Sequence, residues 1–142
     1  MTPYKIIYDA FLAKIEEDEW TDILNMEETE ADWREILESA IPYFKFPRIK
    51  LDRDDTGFLN DLDSEEIQIL ATLMKQEWLD RTIMTWENVK PMYAEQDFSQ
   101  ANLLDKFIKL LDQTVEKANS LQRIYYRSIK GEPFDYSKLA GR

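Results

Sequence analysis

One stretch of the sequence, positions 52–63, has the spacing of a calcium-binding loop. In the twelve-residue pattern that binds Ca²⁺ between two helices, side-chain oxygen ligands fall at positions 1, 3, 5, 9 and 12, and position 6 is a glycine. Gly57 occupies position 6. The oxygen-bearing side chains at the five ligand positions are Asp52, Asp54, Thr56, Asn60 and Asp63. Because Ca²⁺ prefers oxygen ligands, these five side chains form a candidate calcium site.

The neighbouring sequence favours a different interpretation of this loop. The last ligand position holds Asp63, whose side chain is shorter than the glutamate that usually binds Ca²⁺ with both oxygens. The residues before Asp52 include Pro47 and predict an extended segment instead of a helix, and the sequence has no second loop of this kind. The alternative is a solvated acidic turn in which Asp63 caps a helix that begins with Glu65 and Glu66. The sequence favours this alternative.

Other catalytic chemistry has little support in the composition. The chain contains no histidine and no cysteine, which removes imidazole bases, thiol nucleophiles and the usual zinc ligands. It has no glycine-rich phosphate loop and no glycine–x–serine–x–glycine elbow. With 29 acidic side chains, pairs of carboxylates are too common to indicate an active site. We therefore expect a protein that is not an enzyme and that needs no cofactor.

The spacing of apolar residues predicts an all-α protein around this loop. At 142 residues the chain has the length of one domain, and we expect a four-helix bundle-like domain over residues 1–130 with a long C-terminal helix. An extended arm is expected near 43–51, and an irregular tail over 131–142. The four helices are expected at about 3–17 after the cap Thr2, between the cap Thr29 and Pro42, at about 64–84, and from Ser99 to Gly131.

The second half of the last predicted helix bears an unusually narrow apolar seam. Its members are Val115, Ala118, Leu121 and Tyr125. If this half projects beyond the rest of the domain, the seam needs a partner, and a second copy of the chain is the simplest one. Alternatively, the N-terminal helix or the tail covers the seam within one subunit. The sequence leaves both possibilities open.

Charge is distributed unevenly along the chain. The net charge is −11; residues 1–99 carry 24 acidic and 10 basic side chains, whereas residues 100–142 carry 5 acidic and 8 basic ones. This asymmetry either steers head-to-tail contact between copies or keeps a small protein soluble. The chain has no long run of basic residues of the kind that would indicate binding to nucleic-acid phosphates. No apolar run approaches the roughly 18 residues of a membrane span, and no secretion signal is present, so we expect neither membrane insertion nor export.

Aromatic residues make up 13% of the chain and divide into two groups. Trp33 and Trp78 lie on apolar helix faces and are expected in the core. Others fall in the predicted loop between the third and fourth helices, on the seam or in the tail, where aromatic side chains often anchor interfaces. Together with the aliphatic residue Leu139 of the tail, the interface candidates are Trp86, Tyr93, Phe98, Tyr125, Phe134 and Tyr136.

The sequence resembles the head–tail adaptors of long-tailed bacteriophages. The likeness lies in the segments Tyr4–Phe11, Ser64–Arg81 and Tyr93–Leu104, and in the acidic character of the chain. The resemblance implies a small, mostly helical virion structural protein. It would form an oligomeric ring, commonly of twelve copies, in the neck between the portal protein and the tail. Such a connector extends the DNA channel without binding DNA specifically, is assembled in the cytoplasm of the host bacterium, and has no catalytic residue.

Two other classes of function remain as alternatives. One is an acidic interaction protein, such as a DNA mimic that inhibits a host enzyme. The other is a calcium-binding module that uses the 52–63 loop. A DNA mimic competes with DNA for a basic partner, whereas a calcium module changes stability when calcium is removed.

Overall fold

The structure, a computed structural model, describes residues 1–17, 30–93, 98–129 and 132–133, with side chains over 1–15, 30–85 and 104–127. The described residues are mostly helical, which confirms the predicted all-α class. The helices are α1 (Tyr4–Glu17), α2 (Glu30–Ala40), α3 (Ser64–Tyr93) and α4 (Phe98–Tyr126), with a 3-10 turn at Ile41–Tyr43. Four two-residue strands accompany them: β1 (Thr2–Pro3), β2 (Gly57–Phe58), β3 (Ser128–Ile129) and β4 (Glu132–Pro133).

Helices α3 and α4 form the long axis of the bundle. They contain 30 and 29 residues, about 45 Å each at 1.5 Å per residue. The start of α3 lies beside the end of α4, because the Tyr125 hydroxyl donates a hydrogen bond to the Glu66 carboxylate. Further along, Thr72 and Lys75 line one groove together with Leu110. The two helices are therefore antiparallel.

Helices α1 and α2 pack against α3 and complete the core. The apolar stripe of α1 is fully buried at Ile7, Phe11 and Ile15, and α2 buries Leu37. Trp78 is also buried, as predicted, and Trp33 packs against the core beside Tyr8. The other large, fully buried side chains are Phe58, Ile69, Leu70, Met74, Leu79, Phe107 and Tyr125. All four helices thus contribute to one hydrophobic core, which matches a bundle-like arrangement.

The predicted cap at the start of α1 is wrong. Thr2 and Pro3 form strand β1, which pairs antiparallel with β2. The Thr2 hydroxyl donates to the carbonyl of Asn60 and accepts a hydrogen bond from the amide of Leu62. It therefore satisfies backbone groups near position 60 and not those of its own helix. The N-terminal strand and the 52–63 loop hold each other in place.

Two helix boundaries also differ from the predicted ones. Helix α3 continues nine residues beyond 84, through Pro91 to Tyr93. Helix α4 ends at Tyr126, before Gly131, and β3 and β4 follow as an antiparallel pair. Thr29, the predicted cap of α2, lies outside the described residues. Near Asp63 the boundary prediction is confirmed, since α3 begins at the next residue.

A group of charged side chains ties α2 to the loop before α3. The Glu38 carboxylate accepts hydrogen bonds from Arg53, at 2.5 and 2.8 Å, and from Arg34, at 2.9 Å. Arg34 also lies over the Tyr4 ring, 4.3 Å from its centroid. The hydrogen bond from Arg53, followed by that from Arg34, lowers the pKa of Glu38 from 4.5 to about 2. This carboxylate therefore remains ionised in moderately acidic solution.

We expect the stability of the fold to depend on pH through Glu38. A carboxyl group whose pKa is depressed in the folded state stabilises it fully above its unfolded pKa, near 4.5, and loses that contribution as pH falls toward 2. Because the Glu38 side chain is 36% exposed, solvent screening reduces the contribution to about 1 kcal/mol. Urea unfolding between pH 2 and 7 should show a shallower pH dependence for Glu38→Gln than for the wild type. Equal slopes would contradict the assignment.

In the part of the chain that the structure describes, no helix is both long enough and apolar enough to cross a membrane.

Candidate interaction surface

The candidate calcium loop is folded as a turn whose ligand oxygens serve the backbone. Oδ1 of Asp54 accepts hydrogen bonds from the amide of Thr56 at 2.7 Å, from its hydroxyl at 2.7 Å, and from the amide of Gly57 at 3.1 Å. These hydrogen bonds, above all the two from Thr56, lower the pKa of Asp54. The carbonyl of Gly57 accepts a hydrogen bond from the Asp54 amide, and the backbones of Arg53 and Phe58 form an isolated antiparallel β-bridge. The loop is therefore a small hairpin.

The remaining candidate ligands point to other partners. The Asn60 amide group donates to the carbonyl of Lys50 at 3.0 Å. Oδ1 of Asp63 accepts from the amide of Glu66, and the Glu66 carboxylate accepts from the amide of Asp63, which is a reciprocal capping box. Asp52 is exposed. Among the described residues no group of three or more acidic side chains is arranged to hold a metal ion. The geometry favours the capping turn over the calcium site.

We expect calcium to leave the melting temperature unchanged. Since Asp54, Asn60 and Asp63 already satisfy backbone or side-chain groups, binding Ca²⁺ would require breaking those hydrogen bonds. Thermal melts with millimolar calcium and with a chelator should agree within about 1 °C, since a ligand that binds only the folded state raises the melting temperature. A rise of several degrees that disappears in Asp54→Asn would restore the calcium interpretation.

Tyr125, a predicted interface residue, is a core residue. Its ring is fully buried, and its hydroxyl donates to Glu66 at 2.8 Å and accepts from the amide of Arg48 at 2.7 Å. The Arg48 guanidinium lies 3.9 Å from the centroid of the same ring, and Phe44 packs edge-on against it. Burial raises the pKa of Tyr125. The interface prediction for this residue is therefore wrong.

The seam of α4 is covered within the subunit. Ala118 is buried, as is Tyr125, and Leu121 packs partly against the core. At Tyr125 the cover comes from Glu66 at the start of α3 and from Phe44 and Arg48 of the arm. The sequence leaves open a second copy of the chain, or the N-terminal helix or the tail, and these possibilities do not include the two elements found here. The second half of α4 therefore does not project as a bare helix.

The arm crosses the end of α4 and is fixed to it through backbone groups. The amide of Lys45 donates to Oε1 of Gln122 at 3.2 Å, and the amide of Phe46 donates to the Tyr126 hydroxyl at 3.1 Å. Gln122 also donates to the carbonyl of Tyr43 at 3.1 Å. Residues 44–51 form no helix and no strand, which agrees with the predicted extended arm. We call the outer surface of residues 43–50 and 122–127 the arm–helix surface.

The arm–helix surface exposes aromatic rings. Phe46 is 72% exposed, Tyr43 is 50% exposed and Tyr126 is 37% exposed. The rings of Phe46 and Tyr126 meet edge to face with their centroids 5.9 Å apart. Adjoining exposed apolar groups often occur at protein interaction sites, so this cluster of exposed aromatics is a candidate contact site.

The same surface is basic in an otherwise acidic chain. Positions 41–51 and 117–131 contain no acidic residue. Exposed cationic side chains on the surface are Lys45, Lys50, Arg123 and Arg127. Asp63 approaches from the start of α3, 3.9 Å from Arg48. The folded chain thus joins two basic segments, about 77 positions apart in sequence, into one surface.

The other predicted interface residues lie elsewhere. Trp86 and Tyr93 belong to α3 and Phe98 begins α4, so the prediction that they lie in a connecting loop is wrong; the structure describes their backbone only. The tail residues Phe134, Tyr136 and Leu139 lie outside the described residues.

Sequence reasoning missed Phe46 and Tyr126 as surface residues. The available signal was the absence of acidic side chains from both segments, together with aromatics at positions 43, 46 and 126. Nothing in the local sequence indicates that the two segments meet, because the contact spans 80 residues.

Comparisons of this chain with protein-family models, with curated proteins and with solved structures found no match.

Proposed function

We propose that this chain is a structural subunit of a virion neck, of the type of the head–tail adaptors that its sequence resembles. In this role copies form a ring between portal and tail and extend the channel through which DNA passes. The observation that carries the proposal is the arm–helix surface, which presents exposed aromatic and basic side chains on a fixed backbone.

The composition of this surface suits contact with protein. Aromatic and arginine side chains contribute most of the binding energy in many protein interfaces, because they bury large areas at a small cost in conformational entropy. Here the side chains of Phe46 and Tyr126 project from backbone that is already held by hydrogen bonds, so less order has to be gained on binding. A subunit of an assembly needs such a surface.

The charge of the chain also suits a channel wall. With a net charge of −11, most of its surface repels the phosphates of DNA. Acidic side chains that face a passing duplex allow it to slide without adhering. Five of the fourteen basic side chains that the structure describes lie on the arm–helix surface, where they are available for protein contacts.

A cryo-EM map of the neck of the source particle tests this proposal. We expect the chain to fit density between portal and tail as a symmetric ring, with its helical axis formed by α3 and α4 recognisable at about 45 Å. If every layer of the neck is accounted for by other chains, the proposal fails. The acidic-inhibitor hypothesis would then be tested by competition with DNA for a basic partner.

A further inference from the structure

We propose that residues 134–142 of the chain dock in a groove between the start of α3 and the end of α4 of their own subunit. The groove has a volume of about 170 Å³, and its accessible wall is mostly apolar. We call it the α3–α4 groove; it is lined by Ser64, Glu65, Gln68, Ile69, Leu121 and Ile124. The inference is independent of the proposed function, because it concerns contacts within one subunit.

The α3–α4 groove leaves apolar side chains of α4 without full cover. Ile124 is 57% exposed, and Leu121, three positions earlier on the same side of the helix, is only partly packed against the core. Ile69 of α3 is buried. An apolar segment that fills this groove removes the exposed part of Ile124 and Leu121 from water, which is favourable in proportion to the area covered.

The path of the chain after α4 leads back toward this groove. Ile124 lies two residues before the end of α4, and β3 begins at Ser128, four positions after Ile124. Strands β3 and β4 pair antiparallel, with Ser128 opposite Pro133. The backbone that leaves β4 at Pro133 is therefore directed toward the end of α4, where the groove lies.

The tail is long enough to cross the groove, and its attachment favours its own subunit. Nine extended residues, 134–142, span up to about 30 Å, whereas the axes of two packed helices lie only about 8–10 Å apart. A segment held by a short linker has an effective concentration in the millimolar range at a neighbouring site. The tail of a second copy reaches that concentration only in very concentrated solution.

The composition of the tail fits this groove better than the arm–helix surface. Phe134 and Tyr136 are two positions apart, so both face the same side of an extended segment, and Leu139 adds a third apolar side chain. Residues 134–142 contain one acidic and two basic side chains. The groove presents the acidic Glu65, whereas the arm–helix surface presents cationic side chains that repel a basic segment.

Site-specific crosslinking of the full chain tests this placement, since the chain contains no cysteine. A Ser137→Cys, Gln68→Cys variant in dilute solution is treated with a short bis-maleimide, and the linked peptides are measured by mass spectrometry. The control is Ser137→Cys with Arg123→Cys, because Arg123 is exposed next to Ile124 but belongs to the arm–helix surface. We expect a several-fold greater yield of the intramolecular link to position 68. An equal or greater yield for the control, or links formed chiefly between two copies, would overturn the inference.

Thermal melts provide a second measurement, in full-length chains with two different tails. One tail is native, and the other carries Phe134→Ser, Tyr136→Ser and Leu139→Ser. We expect Ile124→Ala to lower the melting temperature by a few degrees with the native tail and by less than half as much with the serine tail, because residues in contact have non-additive effects. Ile6→Ala is the control, since Ile6 is 46% exposed on α1 and should give the same shift with both tails. The inference fails if Ile124→Ala also gives the same shift with both.

Discussion

Replacing Gly57 by alanine is expected to destabilise the fold by about 3 kcal/mol, the upper part of the range for overpacking a close contact. A Cβ atom at this position would overlap the carbonyl oxygen of Thr2 and lie 2.8 Å from Cα of Pro3. Both are backbone atoms, so no side-chain rotation relieves the overlap. Strand β1 would have to leave β2, and the hydrogen bonds between Thr2 and residues 60–62 would be lost with it.

Urea unfolding of Gly57→Ala measures this effect, and Leu59→Ala is its control. Leu59 lies two residues away in the same hairpin, but its side chain is 53% exposed, so we expect a change below about 0.5 kcal/mol. Equal stability of the glycine variant and the wild type would show that β1 does not approach Gly57 as closely as the structure indicates.

Replacing Tyr125 by phenylalanine is expected to cost about 2 kcal/mol. The ring remains, but the hydroxyl that joins the Glu66 carboxylate to the amide of Arg48 is removed. Glu66 is only 4% exposed, so its oxygen would be left buried without that donor. The loss exceeds that of an ordinary hydrogen bond because the remaining group is charged and desolvated.

The neighbouring residue provides the matched control for this variant. Tyr126 also has a hydroxyl in two hydrogen bonds, to Gln122 and from the amide of Phe46, but it lies at the surface. Water replaces a partner there, so Tyr126→Phe should cost less than about 1 kcal/mol. Thermal melts of both variants decide the matter, and similar losses would mean that burial of the Tyr125 hydroxyl has no special energetic role.

Features encoded by nearby residues were predictable from the sequence. Asp63 followed by Glu66 is a capping pattern, and the structure forms both of its reciprocal hydrogen bonds. The helical spacing of apolar residues located all four helices, and Pro42 ended α2 as expected. These predictions succeed because each depends on contacts within a few positions.

Features that depend on distant contacts were not predictable. Thr2 has the residue type of a helix cap, but its hydroxyl is used by residues about 60 positions away. Tyr125 was predicted to contact another subunit, because nothing near it in the sequence indicates that the arm, 77 positions earlier, covers it. The candidate surface arises from that same long-range contact.

The end of α3 was missed for a local reason. Proline in a helix removes one backbone hydrogen bond, and Pro91 lies in the segment that was predicted to connect the third and fourth helices. Yet Trp86, Val89 and Tyr93 continue the helical spacing of bulky residues, and the helix runs on to Tyr93. That spacing is the local signal by which the sequence indicates the longer helix.

The arm is fixed to α4 by backbone amides that donate to side-chain oxygens. These amides report on the detachment of the arm from the rest of the fold. The amides of Lys45, Phe46 and Arg48 donate to side-chain oxygens of Gln122, Tyr126 and Tyr125 and not to the backbone carbonyls of a helix or strand. Their hydrogen exchange requires the arm to detach from α4, whereas exchange of core helix amides requires wider unfolding. Exchange rates at these three positions therefore measure the free energy of detaching the arm, separately from global stability.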